Sequence, residues 1–427
     1  MRISGPEAVD VVSRIWHGKN LKFVEPRTAH LGKVTDSEGN DLDEVIATVY
    51  RAPASFTGED CIELTCHGSG LIRRKLINSL IKAGARPAQP GEFSKRAYLN
   101  GRIDLAQAEG IADLISAESE KAHRLAWSQT KGRFSESLKE IRSKLIEFAS
   151  LLELELDFSE EDVEFANREA LLKLCTDVIS ETGKLLDSYA KGKAIKEGVA
   201  VAIAGIPNAG KSTLLNALLE DDRAIVSDIP GTTRDSIEGT VEIGGILFRI
   251  MDTAGLRATD DEIERLGIQR SRECISRSQI IVWLTDPTTD LEIQRIEKHK
   301  VTETAGTSIP MIEVSTKSDI GSPLPNFLAI SAKDGKGIDA LKKRLLELSV
   351  GRYSEEEVIV TNSRHYDALL HVESALRRAA DGLKSGLSGD LLSQDVREAI
   401  YHIGEITGEI STSTLLNNIF SSFCIGK

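Results

Sequence analysis

Gly205-Ile206-Pro207-Asn208-Ala209-Gly210-Lys211-Ser212 is a G-x-x-x-x-G-K-S stretch between an apolar run, Val199 to Ala204, and a helix-like run, Thr213 to Leu219. That order of strand, glycine loop and helix separates a phosphate-binding loop from a chance match to the pattern. Gly205 and Gly210 carry no Cβ to block the approach of phosphate oxygens. The free N–H groups at the helix start point at the anion, and the helix dipole adds to their pull. Lys211 supplies a point charge to the outer phosphates, and the Ser212 hydroxyl can sit on magnesium. Asn208, Ala209, Gly210, Lys211, Ser212 and Thr213 are therefore the predicted phosphate site.

Further signals follow in a fixed order and narrow the nucleotide to GTP. Asp252-Thr253-Ala254-Gly255 closes the apolar run Ile246 to Met251. A carboxylate at a strand end can reach magnesium through water, and the glycine N–H can face the γ-phosphate. Thr232-Thr233 lies between the phosphate loop and that strand, where a switch threonine completes the magnesium shell. Ser212 and Thr233 are the predicted magnesium ligands. Thr316-Lys317-Ser318-Asp319 follows the run Met311 to Val314. Asp319 can accept both N–H donors on the guanine edge, a pair that adenine does not present. Ser331-Ala332-Lys333 would close the base pocket through its backbone. Each signal is weak alone; the ordered set is strong. Two positions depart from common patterns. The base-reading motif usually opens with Asn, which ties it to the phosphate loop; here it opens with Thr316, so lower affinity with retained guanine selectivity is expected. A water-orienting Gln usually follows D-x-x-G, and Leu256 stands there instead, so the catalytic group must come from elsewhere.

Length and composition frame the rest. A chain of 427 residues suggests roughly three domains at about 150 residues each. No apolar run approaches the roughly 18 residues of a membrane span, and Met1-Arg2-Ile3-Ser4-Gly5-Pro6 turns polar too soon for a secretory signal. The cysteines at 61, 66, 175, 274 and 424 form no C-x-x-C pair, and their odd number argues against a disulfide framework. A cytoplasmic protein with no membrane attachment is expected. The net charge of −13 argues against bulk electrostatic attraction to nucleic acid, and the acidic cluster Glu153 to Glu164 reads as a solvated face and linker.

Along the first hundred residues, Glu44 to Tyr50 and Asp60 to Cys66 alternate like strands, and Ser69 to Ala83 reads as a helix ended by Gly84 and Pro87. Cys61 and Cys66 would face opposite sides of a strand, which favours packing over metal binding. From Leu105 onward the period becomes helical. Ala106, Ile111, Leu114 and Ile115 form one stripe; Leu138, Ile141, Leu145, Phe148 and Leu152 a second; Leu171, Leu174, Val178, Leu185 and Leu186 a third. Tyr366, Leu369, Leu370, Val372 and Leu376 resume the period after the nucleotide-binding stretch. One helical domain interrupted by a GTPase, bracketed by Lys196-Glu197-Gly198 and Gly351-Arg352, is the economical architecture.

On specific motifs the chain resembles the MnmE (TrmE) family of bacterial tRNA-modification GTPases over essentially its whole length. The motifs are Arg2-Ile3-Ser4-Gly5, Arg86-Pro87 with Pro90-Gly91-Glu92-Phe93-Ser94, Leu105-Ala106-Gln107-Ala108-Glu109, Asn208, Gly231-Thr232-Thr233-Arg234-Asp235, and the ending Ile419 to Lys427 with its C-x-G-K. A cysteine so placed suggests prenylation, but Gly426 and Lys427 do not suit that motif. The resemblance implies a fold of α/β plus all-α regions: an N-terminal mixed α/β folate-binding and dimerisation domain over 1–101, a helical domain over 102–197 and 351–427, and a Ras-like P-loop GTPase domain over 198–350 inserted in it. It also implies a homodimer joined with the flavoprotein MnmG in a heterotetramer. This assembly would install a (carboxymethyl)aminomethyl group on the wobble uridine of certain tRNAs, with the carbon drawn from a tetrahydrofolate derivative (5,10-methylene or 5-formyl). Members of the family carry a further segment ahead of Arg2, including the first strand of the folate domain; weak folate binding and poor dimerisation by residues 1–100 are the corresponding expectation.

By the same resemblance, G domains pair across their nucleotide faces when potassium binds, and potassium replaces an arginine finger. The matching positions are Asn208, Ser227, Ile229 and Thr232, within a nucleotide-contacting loop Ser227, Asp228, Ile229, Pro230, Gly231, Thr232 and Thr233. Oxygen ligands suit such a hard cation. Glu264 matches the family's catalytic glutamate, and Thr259-Asp260-Asp261-Glu262 is a capping box that would hold it near a helix start. Arg2, Glu63, Arg102 and Lys427 match folate-contacting positions. Cys424 is either a catalytic thiol, favoured by a nearby cation such as Lys427, or a packed one; the resemblance keeps it among the catalytic residues. A different class of function, a regulatory or ribosome-assembly GTPase switch with no chemistry on RNA, fits the same nucleotide motifs.

Overall fold

The structure, a computed structural model, describes residues 1–157, 168–221, 239–252, 272–306, 309–349, 357–421, 423 and 426. Two compact units comprise it. The first holds Met1–Ile115, Trp127–Val178 and His371–Lys427; the second holds Ser116–Ala126 and Ile179–Leu370.

In the first unit, alternation decides which way each strand side chain points. Strands β1 (Arg2–Ser4), β2 (Trp16–His17), β3 (Ala29–Thr35), β4 (Asp41–Tyr50) and β5 (Cys61–Thr65) form one sheet in the order β1-β5-β4-β3-β2, antiparallel throughout. Along β4, Val45, Ala47 and Val49 are buried while Glu44 and Ile46 face outward, the period-two pattern of a half-buried strand. The inward face packs with helices α1 (Ala8–Ser13) and α2 (Gly70–Lys82) into a core containing Val12, Leu21, Ile62, Leu64, Leu76 and Leu80. Ser69 starts α2 by accepting the Leu71 N–H on its side chain at 3.2 Å.

Helices α3 (Glu92–Leu99), α4 (Leu105–Ser116), α5 (Glu120–Thr130), α6 (Arg133–Asp157) and α7 (Arg168–Glu197) follow. In α6 the expected stripe of Leu138, Ile141, Leu145, Phe148 and Leu152 is fully buried. Its spacing of three and four residues keeps these side chains on one face, which packs along the helix Gly389–Thr407. Ion pairs from Arg142 to Glu409 at 2.9 Å and from Arg397 to Glu153 at 2.6 Å flank that seam. The α4 stripe differs from expectation. Leu105, Ala106, Ala108, Glu109 and Gly110 are buried, whereas Ile115 is 37% exposed. Small residues decide this face: a Cβ on Gly110 would lie 3.0 Å from the Gln129 side chain, so that side chain packs directly on the α4 backbone. Leu105 and Ala108 join Leu416, Phe420 and Phe423 in a separate apolar cluster that holds the C-terminal helix Ser413–Ser421. Cys175, and not Leu174, completes the buried face at the start of α7, and Leu370 is 40% exposed where burial was expected.

The second unit is built on a sheet whose strands are β6 (Val199–Gly205), β7 (Gly239–Ile243), β8 (Ile246–Asp252), β9 (Ile280–Thr285), β10 (Met311–Ser315) and β11 (Leu328–Ala329). Their order is β11-β10-β9-β6-β8-β7, parallel except for β7, which runs antiparallel to β8 at the edge. This is the strand order of a Ras-like G domain. All six residues of β9 are buried, as a parallel strand covered on both faces requires. Residues Ser116–Ala126 belong to this unit: Lys121 N–H donates to Gly245 O at 3.0 Å, and Ala122 and Leu125 join its core.

Candidate nucleotide-binding site

Strand β6 ends at Gly205 in the middle of the sheet, and helix α8 (Lys211–Asp221) begins six residues later. The turn between them needs its glycines. A Cβ on Gly205 would lie 2.8 Å from the Leu284 carbonyl oxygen of β9, and Gly210 takes φ +98°. Asn208 adopts a left-handed φ of +62°, which Asn tolerates better than most residues. Ala209 is fully buried beneath the loop. Lys211 Nζ donates to the carbonyls of Gly205 and Ile206, each at 2.8 Å, which holds the ammonium against the loop. Ser212 and Thr213 are exposed at the helix start. In the β6–β8 register Ile203 lies opposite Asp252, so the backbone of Asp252 arrives beside the phosphate loop.

The residues expected to read the base meet at the same end of the sheet. Thr316 follows β10, and its N–H and hydroxyl both donate to Thr285 O, at 2.9 and 3.2 Å. Ser318 N–H donates to Ile330 O at 3.1 Å, which ties this loop to the one after β11. Ser331, fully buried, donates its hydroxyl to Asp319 Oδ1 at 2.9 Å and so orients the carboxylate expected to read guanine. A bridge between Ser331 and Lys336 shapes the loop that carries Ala332 and Lys333. Lys317 has φ +53°, and its Nζ lies 2.5 Å from Asp286 Oδ2. Burial opposes ionisation of Asp286, but hydrogen bonds from Lys317 and Thr288 outweigh it and hold the carboxyl below its ordinary range. Asp286 is a site residue that the sequence motifs do not mark; its signal is a lone Asp that follows the apolar run Ile280 to Leu284 after Thr285.

Ser227, Asp228, Ile229, Pro230, Gly231, Thr232, Thr233, Thr253, Ala254, Gly255 and Glu264 lie outside the described residues, as do Cys424, Lys427 and the side chain of Asp252.

In the first unit, register places Arg2 of β1 directly opposite Glu63 of β5. Arg2 Nε donates to Glu63 Oε1 at 2.8 Å, and the guanidinium lies 4.9 Å from the Phe56 ring centre and 5.8 Å from that of Phe93. Both side chains line a cavity of about 480 Å³ together with Met1, Phe56, Ile111 and Gly426. Arg102 is exposed and packs its Cγ near Gly58 instead. The Pro90-to-Ser94 motif has a structural reason as well. Gly91 takes φ +64°, and a Cβ there would lie 2.6 Å from Phe420 O. Glu92 accepts from Arg86, from Gln89 N–H and from Arg96; the Arg86 hydrogen bond, against the opposing pull of burial, brings its carboxyl down to about 2.

Comparison with known proteins agrees along the whole chain. The family model described as GTP-binding protein TrmE N-terminus matches residues 1–102, and that of the MnmE helical domain matches 105–424. The chain is 46% identical to the tRNA modification GTPase MnmE of Cytophaga hutchinsonii, covering 100% of this chain and 94% of that protein. It is 47% identical to the protein of the same description from Bacteroides thetaiotaomicron, covering 100% and 96%. The solved G domain of FeoB from Methanococcus jannaschii is similar over 35% of this chain and 97% of its own, at 24% identity and a TM-score of 0.27.

Proposed function

This chain belongs to the MnmE (TrmE) family of GTPases, and on that premise we propose that it is a potassium-activated GTP hydrolase whose cycle drives modification of tRNA at the wobble uridine. The observation that carries the GTPase half is the convergence of Lys211, Asp319 and Ser331 at one end of one mostly parallel sheet. The phosphate loop offers N–H groups, an ammonium and the Ser212 hydroxyl to a magnesium-bound triphosphate. Magnesium would be held by Ser212 and Thr233, and potassium by Asn208, Ser227, Ile229 and Thr232. Either cation supplies positive charge beside the phosphates as negative charge develops there. Glu264 is the residue proposed to position the attacking water. The relatives' description as tRNA-modification GTPases supports the second half of the reading.

In the first unit, Arg2 and Glu63 are proposed to face a tetrahydrofolate one-carbon donor, joined by Arg102 and Lys427. The cavity lined by Arg2, Glu63 and Phe56 has the mixture of charge and aromatic surface that a pterin with an anionic tail requires. The domains proposed are an α/β folate-binding and dimerisation domain over 1–101, a helical domain over 102–197 and 351–427, and a G domain over 198–350. The working form is a homodimer paired with the flavoprotein MnmG and acting on tRNA in the cytoplasm. The nucleoside profile of tRNA from cells lacking this protein tests the whole reading. Loss of the C5-substituted wobble uridine is expected, and an unchanged profile would leave a regulatory GTPase switch in its place.

A further inference from the structure

Beneath the base-reading loop lies a buried polar cluster to which neither phosphate binding nor metal binding assigns a task. Asp286, 1% exposed, follows β9 directly. One carboxylate oxygen lies 2.5 Å from Lys317 Nζ, and the other accepts from the Thr288 N–H at 2.9 Å and the Thr288 hydroxyl at 2.7 Å. The backbone of Asp286 is clamped in turn. Gln294, 2% exposed in the helix Leu291–Ala305, accepts from Asp286 N–H at 2.9 Å and donates to Asp286 O at 2.8 Å. The carboxylate is thus fixed from both sides before it meets the lysine.

Lys317 needs fixing. A lysine at φ +53° sits in a region that side-chain-bearing residues rarely occupy, and such a conformation persists only where its surroundings over-determine it. The residue ahead of it has lost the usual tether, because Thr316 stands where the common motif has Asn. Its hydroxyl and N–H reach Thr285 O instead. Besides its ties to the loop after β11, the base-reading loop is therefore anchored to consecutive residues, Thr285 and Asp286, at the end of β9.

We propose that Asp286 is a positioning residue for guanine recognition: it fixes Lys317 beside Asp319, replaces the tether that Asn would provide, and thereby sets nucleotide affinity and not the rate of hydrolysis. This rests on the GTPase reading above. Asp286→Asn in the full-length protein removes the charge and keeps the shape. It should raise KM for GTP and Kd for GDP by roughly 10- to 150-fold, the range for losing one charge-assisted hydrogen bond. kcat should fall by no more than about threefold, a split in which binding is lost and transition-state stabilisation is kept. In a Lys317→Met background the same substitution should cost no more than about a further twofold, because its target is already gone. Thr316→Asn, adding the missing tether, should recover part of the affinity lost in Asp286→Asn. Losses that multiply in the double variant, an unmoved KM, or a kcat that falls in step with KM would overturn the positioning role alone. A wild-type chain that binds ATP as well as GTP would overturn the GTPase reading and this inference together.

Discussion

Asn208 shows how much a single side chain can be asked to do. Its φ of +62° places it at the bend of the phosphate loop, and its amide oxygen is the proposed potassium ligand beside the β- and γ-phosphates. Asn208→Ala should abolish the stimulation of GTP hydrolysis by potassium while keeping most of the nucleotide affinity, measured as turnover in potassium against sodium at matched ionic strength. Stimulation that survives the substitution would send the cation elsewhere. For Glu264→Ala, GTP should bind nearly normally while turnover drops by ~10- to 1000-fold, or about 1–4 kcal/mol of transition-state stabilisation. Single-turnover hydrolysis is the check, and wild-type rates would remove Glu264 from the water. Glu92 titrates far from neutrality. Its folded carboxyl titrates at about 2, below the ordinary 4.5, so the stability it contributes is complete above about pH 5 and is lost as pH falls through 2. Glu92→Gln should therefore destabilise the protein at pH 7 and converge on wild type near pH 2 in acid-unfolding curves. A gap that stays constant across that window would contradict the assignment.

At the scale of elements, helices are held by apolar faces, and the strength of each hold follows from fit. The α6 stripe is buried throughout, α6 packs along the helix Gly389–Thr407, and Leu145 is completely buried. Leu145→Ala should cost about 2–5 kcal/mol of stability, the range for truncating a buried leucine, read from chemical denaturation. A loss under about 1 kcal/mol would mean that the seam collapses around the gap. The start of α3 is a close approach between backbones. Because a Cβ on Gly91 would meet Phe420 O at 2.6 Å at a φ of +64°, Gly91→Ala should loosen the helix Ser413–Ser421. Faster proteolytic removal of the C-terminal tail is the expected readout, and an unaltered cleavage rate would show that the contact relaxes at little cost.

Over the whole molecule, charge and composition bear on partners. A net charge of −13 makes long-range attraction to tRNA unfavourable, so the proposed RNA chemistry depends on a partner or on local basic surface. Residues 67–102 supply one basic stretch, with eight Lys and Arg against the single acid Glu92. If G domains pair around the potassium site, specific GTPase activity should rise with protein concentration in potassium but not in sodium. A specific activity independent of concentration would argue for hydrolysis by single G domains. Cys424→Ser should leave GTPase activity and folding intact and abolish wobble-uridine modification in cells; normal modification would leave packing as the role of that thiol.

The sequence by itself determined the phosphate loop, the order of the nucleotide-binding motifs, the α6 stripe and the helix running from about Ser69 to Ala83. These are signals carried within a few turns or strand residues, where spacing dictates which side chains share a face. Tertiary structure alone decided the rest. Arg2 and Glu63 stand opposite each other only because β1 joins the sheet beside β5. Gly91 is needed because a helix more than three hundred residues later in the chain passes within contact of it. Gly110 is buried on the α4 face because the segment around Gln129 crosses so closely that a Cβ there would lie 3.0 Å from the Gln129 side chain. Asp286 reaches Lys317 because β9 and β10 are parallel neighbours that end together. In each case the partner lies far away along the chain, and no local period or propensity encodes which distant backbone will arrive there.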